Sequence, residues 1–362
     1  MSTDFEAYRS TRYFPALDGL RAVSVLLVLT VHLHDRVWSW LAGFHGVTLF
    51  FVLSGFLITT FGLREEDRRG SVSLPAFLVR RTFRLFPVYF LVLGIYCLLI
   101  FKTGLGVEKR SNLIAVLPYY LTYMQEIPFV FGVNGSFDNI PLYQSWSLGI
   151  EWKFYLVWPV LLFVVWRGRP RARVLGTIAL TLGFAATPAL GKPGQLLFPY
   201  YAILVGAGLG LALHHRPSFE RLAFLGRTGT RLALVGALVL VHTSGPHGLV
   251  VSLVYPLVAA ALIGSLCLLR DVNASLFAKP WLVAGGRWSY AVYLVHILCI
   301  NAAERIFPPG TGAWHVSLGA FGLATILSFA LASSVHYLFE LPIIRIGRRW
   351  AGELEAPKRA EA

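Results

Sequence analysis

Residues 13–34 read YFPALDGLRAVSVLLVLTVHLH, an apolar run that is long enough for one membrane-spanning helix. Arg21 and His32 lie eleven residues apart in this run, so on a helix their side chains fall within about 20° of one line, about 16 Å apart along the axis. Such side chains are costly in lipid and usually face a protein interior or a water-filled cavity. The alternative is that each snorkels to the headgroups from one end of the helix.

The composition of the whole chain is typical of an integral membrane protein. Of the 362 residues, 56% are hydrophobic and only 14% are charged, whereas soluble domains carry about 25% charged residues. We therefore predict an all-α integral membrane protein with a single polytopic domain over residues 1–350 and a charged, disordered tail over 351–362. The polar N-terminus does not resemble a cleaved signal peptide. The three cysteines have no paired spacing, and we expect neither a disulfide nor a metal site.

The long apolar runs predict about ten spans. They lie near residues 16–34, 45–63, 85–101, 146–166, 174–190, 196–213, 231–244, 249–269, 288–303 and 316–338.

The distribution of positive charge predicts the orientation of these spans. If residues 113–125 form a re-entrant or interfacial segment, both termini and alternate loops hold 24 of the 32 Lys and Arg, and the opposite side holds six. This asymmetry predicts that both termini are cytoplasmic. It also explains the net charge of +14 without nucleic acid as a partner. The segment 102–145 is then the largest one outside the cytoplasm, a possible cap over a site.

The first span carries the first set of candidate site residues. Asp18 and Arg21 lie three residues apart and can pair, which lowers the cost of both charges. Histidine is the side chain best suited to take a proton near neutral pH, so His32 is the candidate general base. In the fourth span, Glu151 needs a partner and fits an orienting role beside His32, although a helix-packing acceptor is an equal alternative.

Two further groups complete the candidates. Arg80, Arg81 and Arg84 lie in RRTFRLFP, where Arg81 and Arg84 share a helix face and could hold a polyphosphate, or serve as ordinary cytoplasmic anchors. Ser289, Tyr293 and His296 form a polar stripe in the ninth span. That stripe predicts an inward-facing surface, with structural hydrogen bonding favoured over catalysis for His296.

Six motifs, in order along nearly the whole chain, resemble those of the membrane-bound acyltransferase 3 family. They are residues 13–34 with Arg21-x10-His32, GVTLFFVLSGFLIT (46–59), Arg81-Thr-Phe-Arg84 with Pro87, SWSLGIEWKFYLVWP (145–159), SYAVYLVH (289–296) and FELP (339–342). The chain departs from the family in the fourth span, where Trp152 and Lys153 replace a second acid and a glutamine. Gln144-Ser145 stands where a histidine or threonine often precedes the tryptophan.

The resemblance implies a multi-pass protein of the bacterial cytoplasmic membrane that transfers an acyl group, most simply acetyl, from cytoplasmic acyl-CoA to a hydroxyl. The acceptor would be a carbohydrate or lipid-linked glycan of the cell surface, or a secondary metabolite such as a macrolide. Arg81 and Arg84, with Arg80, would hold the CoA phosphates. His32 would be the base, with Glu151 orienting its ring and Arg21 binding the oxyanion or the donor. No permanently bound cofactor or metal is expected.

A transporter or channel for an anionic solute is the rival from another class, because it would use the same inward-facing Arg and His. The spans show no matching pair of broken helices in two halves, which argues against it. The sequence also lacks the P-loop, the G-x-S-x-G elbow and the H-E-x-x-H zinc pair.

Overall fold

The chain is mostly helical in the part that the computed structural model describes, which is residues 5–133, 139–243, 248–269, 275–310 and 313–355. No β-strand occurs in those ranges. The α-helices are α1 (Phe5–Ser10), α2 (Pro15–His32), α3 (His45–Arg69), α4 (Leu74–Leu98), α5 (Arg110–Leu121), α6 (Glu126–Phe131), α7 (Trp146–Val160), α8 (Pro170–Ala185), α9 (Lys192–Leu197), α10 (Pro199–His214), α11 (Arg216–Leu222), α12 (Thr228–Thr243), α13 (Leu249–Cys267), α14 (Pro280–Glu304), α15 (Trp314–Val335) and α16 (Leu341–Glu355).

Eight described helices, counted with their short terminal turns, are long and apolar enough to cross a membrane. The bent pair Arg216–Gly226 and Thr228–Thr243 makes nine if it is one span. The remaining predicted span falls on α8, whose 16 residues reach only about 24 Å. The prediction of an all-helical integral membrane protein is therefore confirmed. The predicted re-entrant or interfacial segment falls mainly on α5, whose 12 residues reach about 18 Å and cannot span a bilayer alone.

Helices α2 and α14 run parallel to each other. Gly286 meets the backbone of Asp18 near their N-terminal ends, and His296 meets His32 further along both. Parallel helices in a membrane must be separated by an odd number of crossings. If α12 is counted as a span, the number of crossings between α2 and α14 is seven with α8 and six without it, so α8 is then counted as a crossing.

A second helix pair supports the same count. In the packing of α3 against α10, Val52 lies beside Gly206 and Thr59 lies beside Gly210, so these helices also run parallel. Three crossings separate them if α8 is included, and two if it is not. Both pairs agree with the ten alternating spans that the sequence predicts.

The described chain forms two compact units. The first comprises Met1–Arg64 and Arg171–Ala330, and the second comprises Glu65–Pro170 and Leu331–Ala362. The organisation of residues 1–350 as one domain stays a prediction. In the second unit, α16 continues through Glu355, five residues into the segment predicted as a disordered tail. Its end is held because Glu355 forms ion pairs with Arg69 and Arg80. The rest of the predicted tail, residues 356–362, lies outside the described residues.

Candidate active site

Helices α2 and α14 build the core of the site in the first unit. Each begins at a proline, Pro15 or Pro280, whose fixed φ suits the first helical position. Their backbones approach so closely at Gly286 that a Cβ there would lie 1.8 Å from the Asp18 carbonyl oxygen. Small residues at such contacts are how membrane helices pack tightly. This contact determines which residues of α2 lie beside which residues of α14.

An ionic cluster lies at the inner end of α2, the end predicted to face the cytoplasm. Arg21 Nη1 lies 3.1 Å from Asp18 Oδ1, so the predicted pair forms. The Tyr13 hydroxyl donates to Asp18 Oδ2 over 2.6 Å, and Arg287 Nη2 donates to the Tyr13 oxygen over 3.3 Å. Burial and the bond to Asp18 raise the pKa of the Tyr13 hydroxyl. The Asp18 carboxylate is thus shared between a cation and a neutral donor.

A pair of histidines lies at the outer end of α2. His32 Nδ1 is 2.8 Å from the Val28 carbonyl oxygen, and His296 Nδ1 is 2.7 Å from the Tyr293 carbonyl oxygen. His296 Nε2 lies 3.2 Å from His32 Nδ1. A carbonyl oxygen accepts only, so each ring donates its Nδ1–H to its own helix. His32 therefore holds its basic lone pair on Nε2.

The three residues of the predicted polar stripe of α14 make different contacts. Ser289 is buried and donates to the Gly286 carbonyl within its own helix, over 2.8 Å. The Tyr293 ring lies 5.8 Å from that of His296 and 6.4 Å from that of Phe50. His296, the last of the three stripe residues, is hydrogen-bonded with His32.

In the second unit, Glu151 is hydrogen-bonded by the hydroxyl of Tyr155, one turn further along α7. The Arg81 guanidinium lies against two aromatic rings, 5.4 Å from the centroid of Phe77 and 5.2 Å from that of Tyr155. Glu151 and Arg81 thus share Tyr155 as a neighbour. The predicted pairing of Glu151 with His32 joins residues of different units and stays a prediction.

The three predicted phosphate-binding arginines have different surroundings. Arg80 is paired with both Glu65 and Glu355, so its charge is already compensated. Arg84 is half-buried, and in the described parts of the chain it has no ion pair. Arg84 is therefore better placed than Arg80 to hold an added anion.

Lys153, at which the chain departs from the family motif, has an ion-pair partner in the structure. Lys153 Nζ lies 2.5 Å from Glu126 Oε1, a buried carboxylate at the start of α6, and 2.9 Å from the Tyr123 carbonyl oxygen. Lys153 therefore ties the segment before α7 to α7 itself.

Several of these contacts are not predicted from the sequence. Tyr155 lies four residues after Glu151 on one helix, a spacing that could have revealed the bond. Tyr13 precedes α2, where helical periodicity does not apply. The partners of Arg80 and Lys153 are distant in sequence, so no local pattern points to them.

The fold and these clusters define a multi-pass membrane protein with titratable and cationic side chains on its spanning helices. The sequence profile of the acyltransferase 3 family, described as an acyltransferase domain, matches residues 14–333. This match covers most of the chain, and the chain belongs to that family.

Curated relatives are similar over part of their length. YrhL of Bacillus subtilis, a putative peptidoglycan O-acetyltransferase, is 31% identical over 369 residues, covering 93% of this chain and 56% of YrhL. The peptidoglycan O-acetyltransferase OatA of Listeria monocytogenes is 35% identical over 179 residues, 48% of this chain and 28% of OatA. A putative O-acetyltransferase of Staphylococcus aureus is 39% identical over 162 residues, 44% of this chain and 26% of the relative. The chain thus spans about half or less of these relatives. No solved structure matches it significantly.

Proposed function

We propose that this protein is an O-acyltransferase of the bacterial cytoplasmic membrane, with both termini in the cytoplasm. It moves an acyl group, most simply acetyl, from cytoplasmic acyl-CoA to a hydroxyl of a cell-surface carbohydrate or lipid-linked glycan. The names of its relatives favour a glycan of the peptidoglycan type. The observation that carries the proposal is His32, whose Nδ1–H is directed to a backbone carbonyl and whose Nε2 is therefore a base within the span.

The reaction is a direct acyl transfer. The acceptor hydroxyl oxygen attacks the thioester carbonyl carbon, and its proton passes to His32 Nε2. The carbon–sulfur bond then breaks, and the CoA sulfur leaves with that proton as the thiol.

Arg21 acts on the donor and not on the oxyanion. It lies about 16 Å from His32 along the helix axis, farther than an arginine side chain reaches. Its pairing with Asp18 holds it at the inner end of α2. A donor entering from the cytoplasm passes this point before its thioester reaches His32.

The CoA phosphates are held by Arg81 and Arg84. These residues lie three apart on α4, so their side chains share a face. The Arg81 guanidinium lies against the rings of Phe77 and Tyr155, and a guanidinium suits bidentate contact with a phosphate. Arg80 has a structural role instead, because it forms ion pairs with Glu65 and Glu355.

His32→Ala is expected to lower acyl transfer by at least about a hundredfold, because a positioned general base contributes about 10²–10⁴ in rate. The measurement is incorporation of label from radiolabelled acetyl-CoA into glycan or lipid-linked acceptors by purified protein in vesicles. His315→Ala, an exposed histidine on α15, is the matched control and should retain wild-type transfer. Full activity in His32→Ala would refute the mechanism, and uptake of label without incorporation would support the transporter.

Arg81→Gln with Arg84→Gln is expected to raise the KM for acetyl-CoA about tenfold or more with a smaller change in kcat, since charge-assisted contacts to phosphate are lost. Arg80→Gln should instead lower the melting temperature, because Glu65 and Glu355 lose their shared cation. Arg221→Ala, an exposed cation of α11, serves as the control for general charge loss. An unchanged KM in the double variant would remove the clamp.

A further inference from the structure

His296 is a fully buried titratable side chain that the proposed reaction does not use. It lies near the middle of α14 with 0% of its surface exposed. Its two nitrogens make contacts of 2.7 Å to the Tyr293 carbonyl oxygen and 3.2 Å to His32 Nδ1. A buried imidazole between two such groups has a fixed orientation and a fixed tautomer.

These contacts select one arrangement of protons. With its Nδ1–H donated to Tyr293 O, neutral His296 presents a lone pair at Nε2. The opposite tautomer would place an Nδ1 lone pair 2.7 Å from the carbonyl lone pairs of Tyr293. It would also require a lone pair on His32 Nδ1, which lies 2.8 Å from the carbonyl oxygen of Val28. Two such repulsive contacts exclude it.

His32 Nδ1–H is therefore shared between two acceptors, Val28 O and His296 Nε2. The first acceptor belongs to α2 itself, and the second is held on α14 through Tyr293. A donor bonded to both helices fixes the orientation of the His32 ring. The same bonds keep the proton on Nδ1, so the base is always Nε2.

We infer that His296 is a positioning residue that holds His32 in the reactive tautomer and stabilises its imidazolium through a neutral acceptor at Nδ1–H. This inference rests on the proposed role of His32 as the base. His296 takes no proton itself, because an imidazolium with no exposed surface would lack solvation. The role that a carboxylate has behind many catalytic histidines is thus filled here by a second imidazole.

The test compares His296→Leu, which removes the acceptor, with His296→Gln, whose carbonyl oxygen can accept from His32 Nδ1–H. We expect kcat to fall about tenfold or more in His296→Leu with the KM for acetyl-CoA within about twofold of wild type. Because the imidazolium loses an acceptor, the acidic limb of the pH–rate profile should move about one unit lower. His296→Gln should restore both toward wild type. Cys299→Ala, buried three residues further along α14, controls for packing defects.

A wild-type rate and pH profile in His296→Leu would overturn the inference. Equal losses in the Leu and Gln variants with an unmoved acidic limb would also overturn it, because that pattern indicates packing alone. His32→Ala separates the two levels of the argument. If His32→Ala is active, the proposed function fails; if it is inactive while both His296 variants behave as wild type, only the positioning role fails.

A measurement on the unaltered protein covers the case in which the His296 variants do not fold. In ¹⁵N-histidine-labelled protein, with the His32 signals assigned from a His32→Gln spectrum, neutral His32 should be protonated at Nδ1. Protonation of neutral His32 at Nε2 would overturn the inference.

Discussion

The two ends of α2 carry polar clusters of opposite kinds. At the inner end, Asp18 and Arg21 are ions whose charges compensate each other, with Tyr13 as a neutral third partner. At the outer end, the Nδ1–H of His32 is directed to Nε2 of His296. Both clusters depend on the close packing of α2 against α14 at Gly286.

This difference assigns separate tasks to the two ends. In an ion pair between residues three apart on one helix, each charge compensates the other, so neither side chain needs a further partner. A histidine pair with every Nδ1–H directed to an acceptor leaves one basic nitrogen, which suits proton transfer. The comparison therefore supports the proposal that proton transfer occurs at the outer end of α2 and that the donor is bound at the inner end.

The largest effect is expected from a change at Gly286, because both ends of α2 depend on its contact with α14. Gly286→Ala places a Cβ 1.8 Å from the Asp18 carbonyl oxygen, so α2 and α14 must separate. Overpacking of this kind costs about 1–3 kcal/mol or more, and we expect the melting temperature to fall by several degrees and transfer to fall about tenfold. Gly322→Ala on α15, where no atom lies within 4 Å of the added Cβ, is the matched control. Wild-type values for Gly286→Ala would mean that the two clusters do not share this support.

A smaller effect is expected from Asp18→Asn, which removes the counter-ion of Arg21. We expect a cost of about 1–3 kcal/mol, less than for a fully buried pair because the Arg21 side chain is 21% exposed. Thermal unfolding of Asp18→Asn, Arg21→Gln and the double variant measures the coupling.

The double variant should be less destabilised than the sum of the single variants. His32→Gln, by contrast, should change the melting temperature little while abolishing transfer. If Asp18→Asn and Arg21→Gln were additive, the inner cluster would not be an ion pair in solution, and the contrast between the two ends would fail.

Much of the helical framework could be predicted because its signals are local. Each apolar run is read from its own residues, and the Asp18–Arg21 pair follows from a spacing of three on one helix. The stripe that aligns Arg21 with His32 is also a local property of α2.

The partners that complete the site are not local. His296 follows His32 by 264 residues, and Glu355 follows Arg80 by 275. Whether Arg80 holds a ligand or a carboxylate depends on how α16 packs against α4, which neither segment records alone. The carboxylate partners that distinguish Arg80 from Arg84 are therefore visible only in the folded chain.

The smallest effect is expected from Tyr13→Phe, which removes a neutral donor from Asp18 and leaves the ion pair with Arg21. A typical hydrogen bond contributes about 0.5–1.5 kcal/mol, and we expect the lower part of this range because Tyr13 is exposed and Arg21 still compensates the carboxylate. Burial and the bond to Asp18 raise the pKa of the Tyr13 hydroxyl, so this stabilisation is present below the unfolded pKa and is lost only as the pH rises above it. The loss in melting temperature should thus be constant from about pH 6 to pH 9. A loss that varies over this range would show that Tyr13 titrates, and that the inner cluster, like the outer one, responds to protons.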